Sequence, residues 1–254
     1  MQRIILILCF CVCTAFAAET VRVQPETDYP IINVNSAYSW DTVRKECLPA
    51  KPPEDPVERC TIKKLGDLGQ LDDKNFYYVL YEWLDKNESE DYGKSNYPTQ
   101  YPRTNTLVVL FYSDKSAPNM LRPFYADRTD LNIGWFEEPR IIKTSSGVLL
   151  QIPHRSSSTA NAELDNLLIW KNSVWQIVDT QSWVEDLQSR LPKECTVIRE
   201  TLVNFEQMKA SNYVWRTSDE NCCPTCGRFS ATLGLEEDRL VIKNLQYNLK
   251  ARLK

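Results

Sequence analysis

The placement of the nine cysteines restricts this chain more than any other feature. Cys9, Cys11 and Cys13 lie in an apolar stretch close to the N-terminus, and Cys47, Cys60, Cys195, Cys222, Cys223 and Cys226 lie far beyond it. That stretch follows Arg3, runs almost unbroken from Ile4 to Val12, and leaves through Ala15-Phe16-Ala17. A charged start, a short apolar core and a small-residue exit read as a secretory signal peptide over residues 1–17, cleaved before Ala18. A membrane-spanning helix would need about 20 apolar residues, and no later apolar run is longer than Leu107–Tyr112. The expectation is a periplasmic or extracellular protein with no transmembrane segment in its mature chain. An even set of cysteines in an oxidising compartment points to disulfides rather than metal.

Cys47 pairs most economically with Cys60, closing a loop around Pro49, Pro52, Pro53 and Pro56. A loop of that size contributes on the order of 3 kcal/mol in the chain-entropy account. Among Cys195, Cys222, Cys223 and Cys226 several pairings are open. Adjacent side chains on extended backbone point to opposite faces, which favours Cys195 bonded to Cys222 or Cys223, with Cys226 taking the other. Cys223-Pro-Thr-Cys226 is also a C-x-x-C, a spacing that can lower a thiol pKa and make the pair redox-active. In thioredoxin-like domains that motif lies early, whereas here a single hairpin follows it. A zinc site built on Cys195, Cys223 and Cys226 has only one C-x-x-C pair, and the single histidine, His154, is remote in sequence. No metal or cofactor is therefore expected.

The segment 18–65 reads as an extended, Pro-rich, poorly packed lead-in, and 66–254 as a β-rich domain with a subdivision possible near 155–163, where serines cluster. Phe76 to Leu84 and Leu107 to Tyr112 suit strands. Ile141 to Lys143 and Val148 to Ile152 form a hairpin around Ser145-Ser146-Gly147. In Leu167 to Val178, an Asn172-Ser173 turn sets Trp170 opposite Trp175 and Leu168 opposite Ile177. Ser182 and Glu185 have capping-box spacing for a helix that Pro192 ends, and a second helix is expected over Asn204 to Ala210. Phe229 to Leu235 and Arg239 to Leu245 make the closing hairpin. The fold class expected is α+β, mostly antiparallel hairpins with a few short helices packed on them.

Before that last hairpin stands Ser218-Asp219-Glu220-Asn221-Cys222-Cys223-Pro224. It resembles a stretch, Asp-x-Asn-Cys-Cys-Pro between C-terminal strands, found in uncharacterised exported bacterial proteins. The Trp170–Trp175 hairpin and the helix containing Trp183 fit the same company. The resemblance spans about the last 90 residues, and the chain departs from it by adding Cys226 and Cys195. It implies export and a β-rich fold and carries no activity.

A net charge of −4 without a basic stripe argues against nucleic acid as a partner. There are only seven glycines and no Gly-rich phosphate loop. Catalytic motifs are likewise missing: neither G-x-S-x-G nor H-E-x-x-H occurs. His154 beside Ser156, Ser157 and Ser158 keeps a hydrolase as a third reading. Acidic pairs Asp72-Asp73 and Glu137-Glu138 would serve a glycosidase only if they faced one another. Asp219 and Asn221 match no calcium-loop spacing. Aromatic residues Tyr92, Tyr97, Tyr101, Trp135 and Phe136 are candidates to contact a sugar ring or a protein partner. The reading carried forward is a non-catalytic exported protein with a structural or binding role. A thiol–disulfide protein using Cys223 and Cys226 is the alternative.

N-terminal sequencing of the protein recovered from outside the cytoplasm should begin at Ala18. A recovered product that still contains Arg3 would rule out the cleavage site.

Overall fold

The computed structural model describes residues 31–49, 57–85, 104–129, 134–156, 165–197, 201, 203–220 and 222–248. Three antiparallel sheets dominate it. The first takes β1 (Tyr38–Ser39), β2 (Val57–Leu71), β3 (Lys74–Asp85), β4 (Thr104–Asp114) and β5 (Met120–Arg128) in the order β1-β5-β4-β3-β2. The second takes β7 (Arg140–Thr144), β8 (Gly147–Ile152), β10 (Asn166–Lys171) and β11 (Val174–Ile177) in the order β11-β10-β8-β7. The third runs β12 (Cys195–Thr196), β14 (Lys209–Arg216), β15 (Gly227–Glu236) and β16 (Arg239–Asn248), with β13 (Val203–Asn204) also paired to β14. A short ribbon of β6 (Gly134–Phe136) and β9 (His154–Ser156) stands beside them. The helices are α1 (Trp40–Lys45) and α2 (Ser182–Arg190).

Strand makes up 60% of the described residues and helix 9%, which overturns the expected α+β class. The fold is β-dominated because sheet packs on sheet and no layer of helices intervenes. The helix expected over Asn204 to Ala210 is instead a strand, a turn and a strand. Asn204 Oδ1 accepts the Gln207 N–H at 2.9 Å, and Met208 at φ 50° turns the chain back so that Lys209 pairs with Asn204. Such local side-chain bonds compete with helix formation.

Alternation along the strands accounts for the packing. In β3, Phe76, Tyr78 and Leu80 face one core while Val79 and Tyr81 face another, and β4 splits Val108, Leu110 and Tyr112 from Leu107, Val109 and Phe111 in the same way. The second sheet also buries both faces. Leu150, Ile152, Leu168 and Trp175 meet the first sheet, while Ile142, Leu149, Leu167 and Ile169 meet α2 and the third sheet. A fully buried side chain of this size contributes about 1.5–3 kcal/mol. Within the 18–65 segment the structure describes 31–49 and 57–65. Ile31, Ile32 and Val43 are fully buried against the outer face of the first sheet, and β2 continues unbroken past residue 65.

The Leu167–Val178 hairpin forms in the register anticipated. Asn172 and Ser173 both take positive φ, at 50° and 62°, and this left-handed pair sets Trp170 opposite Trp175 and Leu168 opposite Ile177. Trp175 is 1% exposed, and its ring meets Trp170 and Phe76 at centroid separations of 5.1 and 5.7 Å.

The capping box at Ser182 does not form. Asp179 Oδ1 accepts the N–H groups of Gln181 and Ser182 at 2.9 and 3.0 Å, while the Ser182 hydroxyl donates to the Leu240 carbonyl at 3.0 Å. Asp179 thus fixes the start of α2, and its main chain also bridges to Arg239. The Ser182 N–H chiefly holds the Asp179 carboxyl below its ordinary range.

Replacing Asp179 by Ala should lower stability by about 0.5–2 kcal/mol in urea melts, toward the low end because the site is solvated. Because the folded-state pKa is depressed, the contribution is complete above the ordinary carboxylate range and disappears as pH falls through the lowered value. The wild-type and Asp179→Ala midpoints should therefore converge in acid. A gap independent of pH would refute this role.

Candidate functional site

The ribbon β6–β9 begins with a close approach. A side chain at Gly134 would meet the Arg155 carbonyl and His154 Nε2 (the latter 2.6 Å from the Cβ position), so only glycine lets the two strands pair here. Trp135 then lies directly across from Arg155, and Phe136 across from His154. Alternation sends Phe136 into the core, 3% exposed, and leaves Trp135 39% exposed. The His154 ring packs on Phe136 with centroids 5.1 Å apart.

Arg155 heads a polar chain. It donates to Asp165 Oδ1 at 3.0 Å and lies 3.2 Å from the Glu137 carboxylate. Asp165 also accepts a short hydrogen bond from the Gln151 amide, and Gln151 Oε1 accepts from Arg140 Nε at 2.7 Å. Arg140 reaches Glu206 at 3.4 Å. Gln151 is 3% exposed and pairs with Arg140 and Leu167 in the second sheet. It sits where the apolar face of that sheet ends, and both its amide oxygen and its amide nitrogen have a partner there.

Two open clefts meet over this chain. One, of about 750 Å³, is bordered by Trp135, Lys63, Lys64, Glu137 and Glu138. The other, of about 810 Å³, lies against the outer face of the third sheet, where Lys209, Ser211, Arg228, Ser230, Thr232, Asn244 and Gln246 project. Arg140, Gln151 and Arg155 line both. The registers explain the polar wall: Lys209, Thr232 and Asn244 form one cross-strand row, and Ser211, Ser230 and Gln246 the next. The intervening Ala210, Phe229 and Ala231 point into the core.

Charge is uneven along the clefts. Glu138 binds Lys64 through a short contact and accepts the Tyr78 hydroxyl at 2.7 Å, and these bonds, Lys64 first, hold its carboxyl below the ordinary range. Burial, reinforced by Glu138, pushes the Tyr78 hydroxyl upward, so it stays a donor. Arg228 stacks near Tyr213 at 5.6 Å and bonds the Ser211 hydroxyl at 3.4 Å, leaving its charge without a carboxylate among the described residues.

The other residues singled out from the sequence fall elsewhere. Cys47 and Cys60 are bonded. Cys195 is bonded to Cys226, and Cys222 to Cys223, which corrects the pairing expected from the sequence. Cys195 in β12 and Cys226 in the bend before β15 have Cα atoms 5.9 Å apart, a proximity created by β12 and the start of β15 both bonding to β14. Cys223 and Cys226 consequently share no bond. The thiolate set considered for zinc is split in the same way. Asp72 Oδ2 accepts from Trp170 Nε1 at 3.2 Å and the Ser173 hydroxyl at 2.9 Å, while Glu137 and Glu138 are engaged by Arg155, Lys64 and Tyr78. Asp219 is used in the turn before β15. Tyr92, Tyr97, Tyr101, Asn221 and Ser157–Ser158 lie outside the described residues.

Sequence reading found Trp135 but not Arg140, Gln151, Arg155, Asp165, Lys209 or Arg228. A polar Gln151 interrupting Val148–Ile152 was the one local signal available. No protein-family model matches the chain, and no curated protein matches it in sequence.

Removing Arg155 strands Asp165 and Glu137 at a half-buried junction. Arg155→Ala should cost about 1–3 kcal/mol in denaturant melts. Arg155→Lys, which keeps charge but not the fork, should recover only part. Full stability in Arg155→Ala would show the polar chain to be incidental.

Proposed function

We propose that this is a non-catalytic exported binding protein, stabilised by disulfides, that holds an acidic glycan in the paired clefts around Arg140, Gln151 and Arg155. One observation carries the reading. An exposed indole, Trp135, stands across the ribbon from Arg155 at the mouth of a polar cleft that continues onto the hydroxyl- and amide-rich face of the third sheet. Aromatic faces stack on the apolar faces of sugar rings, and planar amides, hydroxyls and guanidinium groups read their hydroxyls and carboxylates.

Charge selects the acidic class. Of the cations that line the clefts, Lys63, Lys64 and Arg140 are paired with Glu82, Glu138 and Glu206, and Arg155 with Glu137 and Asp165, while Lys209 and Arg228 have no carboxylate partner among the described residues, in a chain whose net charge is −4. A local excess of cations within an acidic protein concentrates anionic ligands at that place. The non-catalytic reading rests on the use of the carboxylates. Those in the clefts are engaged by Arg155, Lys64, Tyr78 and Gln151. Export rests on the signal-peptide pattern, with disulfides of the kind an oxidising compartment sustains.

Calorimetric titration against uronate-bearing oligosaccharides and their neutral counterparts tests the proposal. Binding should favour the acidic series, weaken as salt rises, and fall by about tenfold or more in Trp135→Ala and in Arg228→Ala, a loss of roughly 1.4 kcal/mol. Equal binding of neutral sugars, no binding at all, or affinity untouched by both substitutions would overturn it.

A further inference from the structure

The three disulfides differ in how much of the fold depends on them. Cys195 and Cys226 are each 1% exposed and belong to the core between α2 and the third sheet. The Cys47–Cys60 bond packs against the outer core of the first sheet. Cys222 and Cys223 are both exposed and adjacent in sequence. Their bond closes no length of chain, so the loop-entropy stabilisation that a disulfide ordinarily supplies is missing here.

The turn that carries them is held by other means. Asp219 Oδ2 accepts the N–H groups of Arg216 and Thr225, each at 2.7 Å, and Oδ1 accepts the Thr225 hydroxyl at 2.7 Å. The Cys223 N–H donates to the Glu220 carbonyl at 2.9 Å and the Cys226 N–H to the Val214 carbonyl at 3.0 Å. Pro224 is buried. None of these contacts uses the sulfur of Cys222 or Cys223.

We infer that Cys222–Cys223 is a thiol–disulfide exchange site that external thiols open and close while the fold stays intact. The site is independent of the glycan cleft. It also differs from the Cys223-Pro-Thr-Cys226 reading, since Cys226 is buried and held by Cys195. The thiolate of an external thiol attacks one sulfur, forming a mixed disulfide and releasing the neighbouring cysteine as thiolate, which takes up a proton. A second external thiolate attacks the external sulfur of the mixed disulfide and releases the other cysteine, which is protonated in turn. The protein disulfide is reduced by two electrons, two thiols are oxidised to one external disulfide, and their two protons end on Cys222 and Cys223.

Opening exposes a ligand set. The donor atoms of Glu220, Cys222 and Cys223 lie within 4.8 Å of one another, and Cys222 Sγ is 3.9 Å from a Glu220 carboxylate oxygen. Two neighbouring thiols suit soft, thiophilic ions. A trivalent arsenical therefore serves as a probe for the reduced form.

The test incubates the full mature protein, undenatured, in buffers of graded reduced and oxidised glutathione. Free thiols are then alkylated and mapped by mass spectrometry, with near-UV circular dichroism recorded in parallel. Cys222 and Cys223 should become labelled together at reductant levels at least tenfold below those opening the other two bonds. The near-UV spectrum should be unchanged, and excess oxidised glutathione should restore protection. The reduced protein should take up one equivalent of phenylarsine oxide, and Cys222→Ser should abolish uptake. Labelling before any reductant is added, opening only together with Cys195–Cys226 and loss of the spectrum, or no opening at all would each overturn the inference.

Discussion

The rest of the structure depends on the second sheet having two buried faces. In β8 and β10 successive residues go to different cores: Leu149 and Leu167 pack toward α2 and the third sheet, while Leu150 and Leu168 pack toward the first sheet. A strand alternates sides at every residue, so a near-continuous apolar run can be satisfied only with something packed on each face. Val148–Ile152 and Asn166–Trp170 therefore need cover on both faces, which the first sheet supplies on one side and α2 with the third sheet on the other. Trp175 fills the gap between the first two sheets, its ring edge-on to Phe76.

The cleft follows from where that sandwiching stops. At Arg140 and Gln151 the face of the second sheet that covers the third runs out, and polar side chains take over at the same register. Gln151 is buried there, accepting from Arg140 and donating to Asp165. That satisfaction matters, because an unpaired buried amide costs about 1–3 kcal/mol. Asp165 then fixes Arg155 through an ion pair, and Arg155 stands across the ribbon from Trp135, so the chain of polar contacts links the second sheet to the strand opposite the exposed indole. A binding surface set in this way starts from ordered side chains and loses less entropy on binding.

Much of the β structure was legible because its signals are local. Phe76–Leu84 and Leu107–Tyr112 suit strands through their aromatic and apolar content, and the Asn172-Ser173 turn sets the register of its hairpin through turn chemistry. Helix signals were less dependable. Ser182 and Glu185 have the spacing of a capping box, but Asp179 is better placed to accept the same N–H groups, and Ser182 turns to the Leu240 carbonyl across the sheet. Asn204 to Ala210 failed as a helix for a similar reason, since pairing with β14 outweighed a weak local preference. The helix from Ser182 does form, so only its cap was misread, whereas the Asn204–Ala210 helix is absent and strands outweigh helices throughout. Cys195 and Cys226 could not be matched from spacing, because β14, pairing with β12 and with β15, brings them together from 31 residues apart.

By itself the sequence determined several of the strands, the register of the Trp170–Trp175 hairpin and the Cys47–Cys60 pairing, all of which depend on neighbours a few residues away. Tertiary structure alone decided the stacking of three sheets, the Cys195–Cys226 bond and the chain of Arg140, Gln151, Asp165 and Arg155. Each of these joins residues from different strands, and the energy that selects their partners comes from shared burial. No single segment carries that information, since burial is a property of the faces brought together.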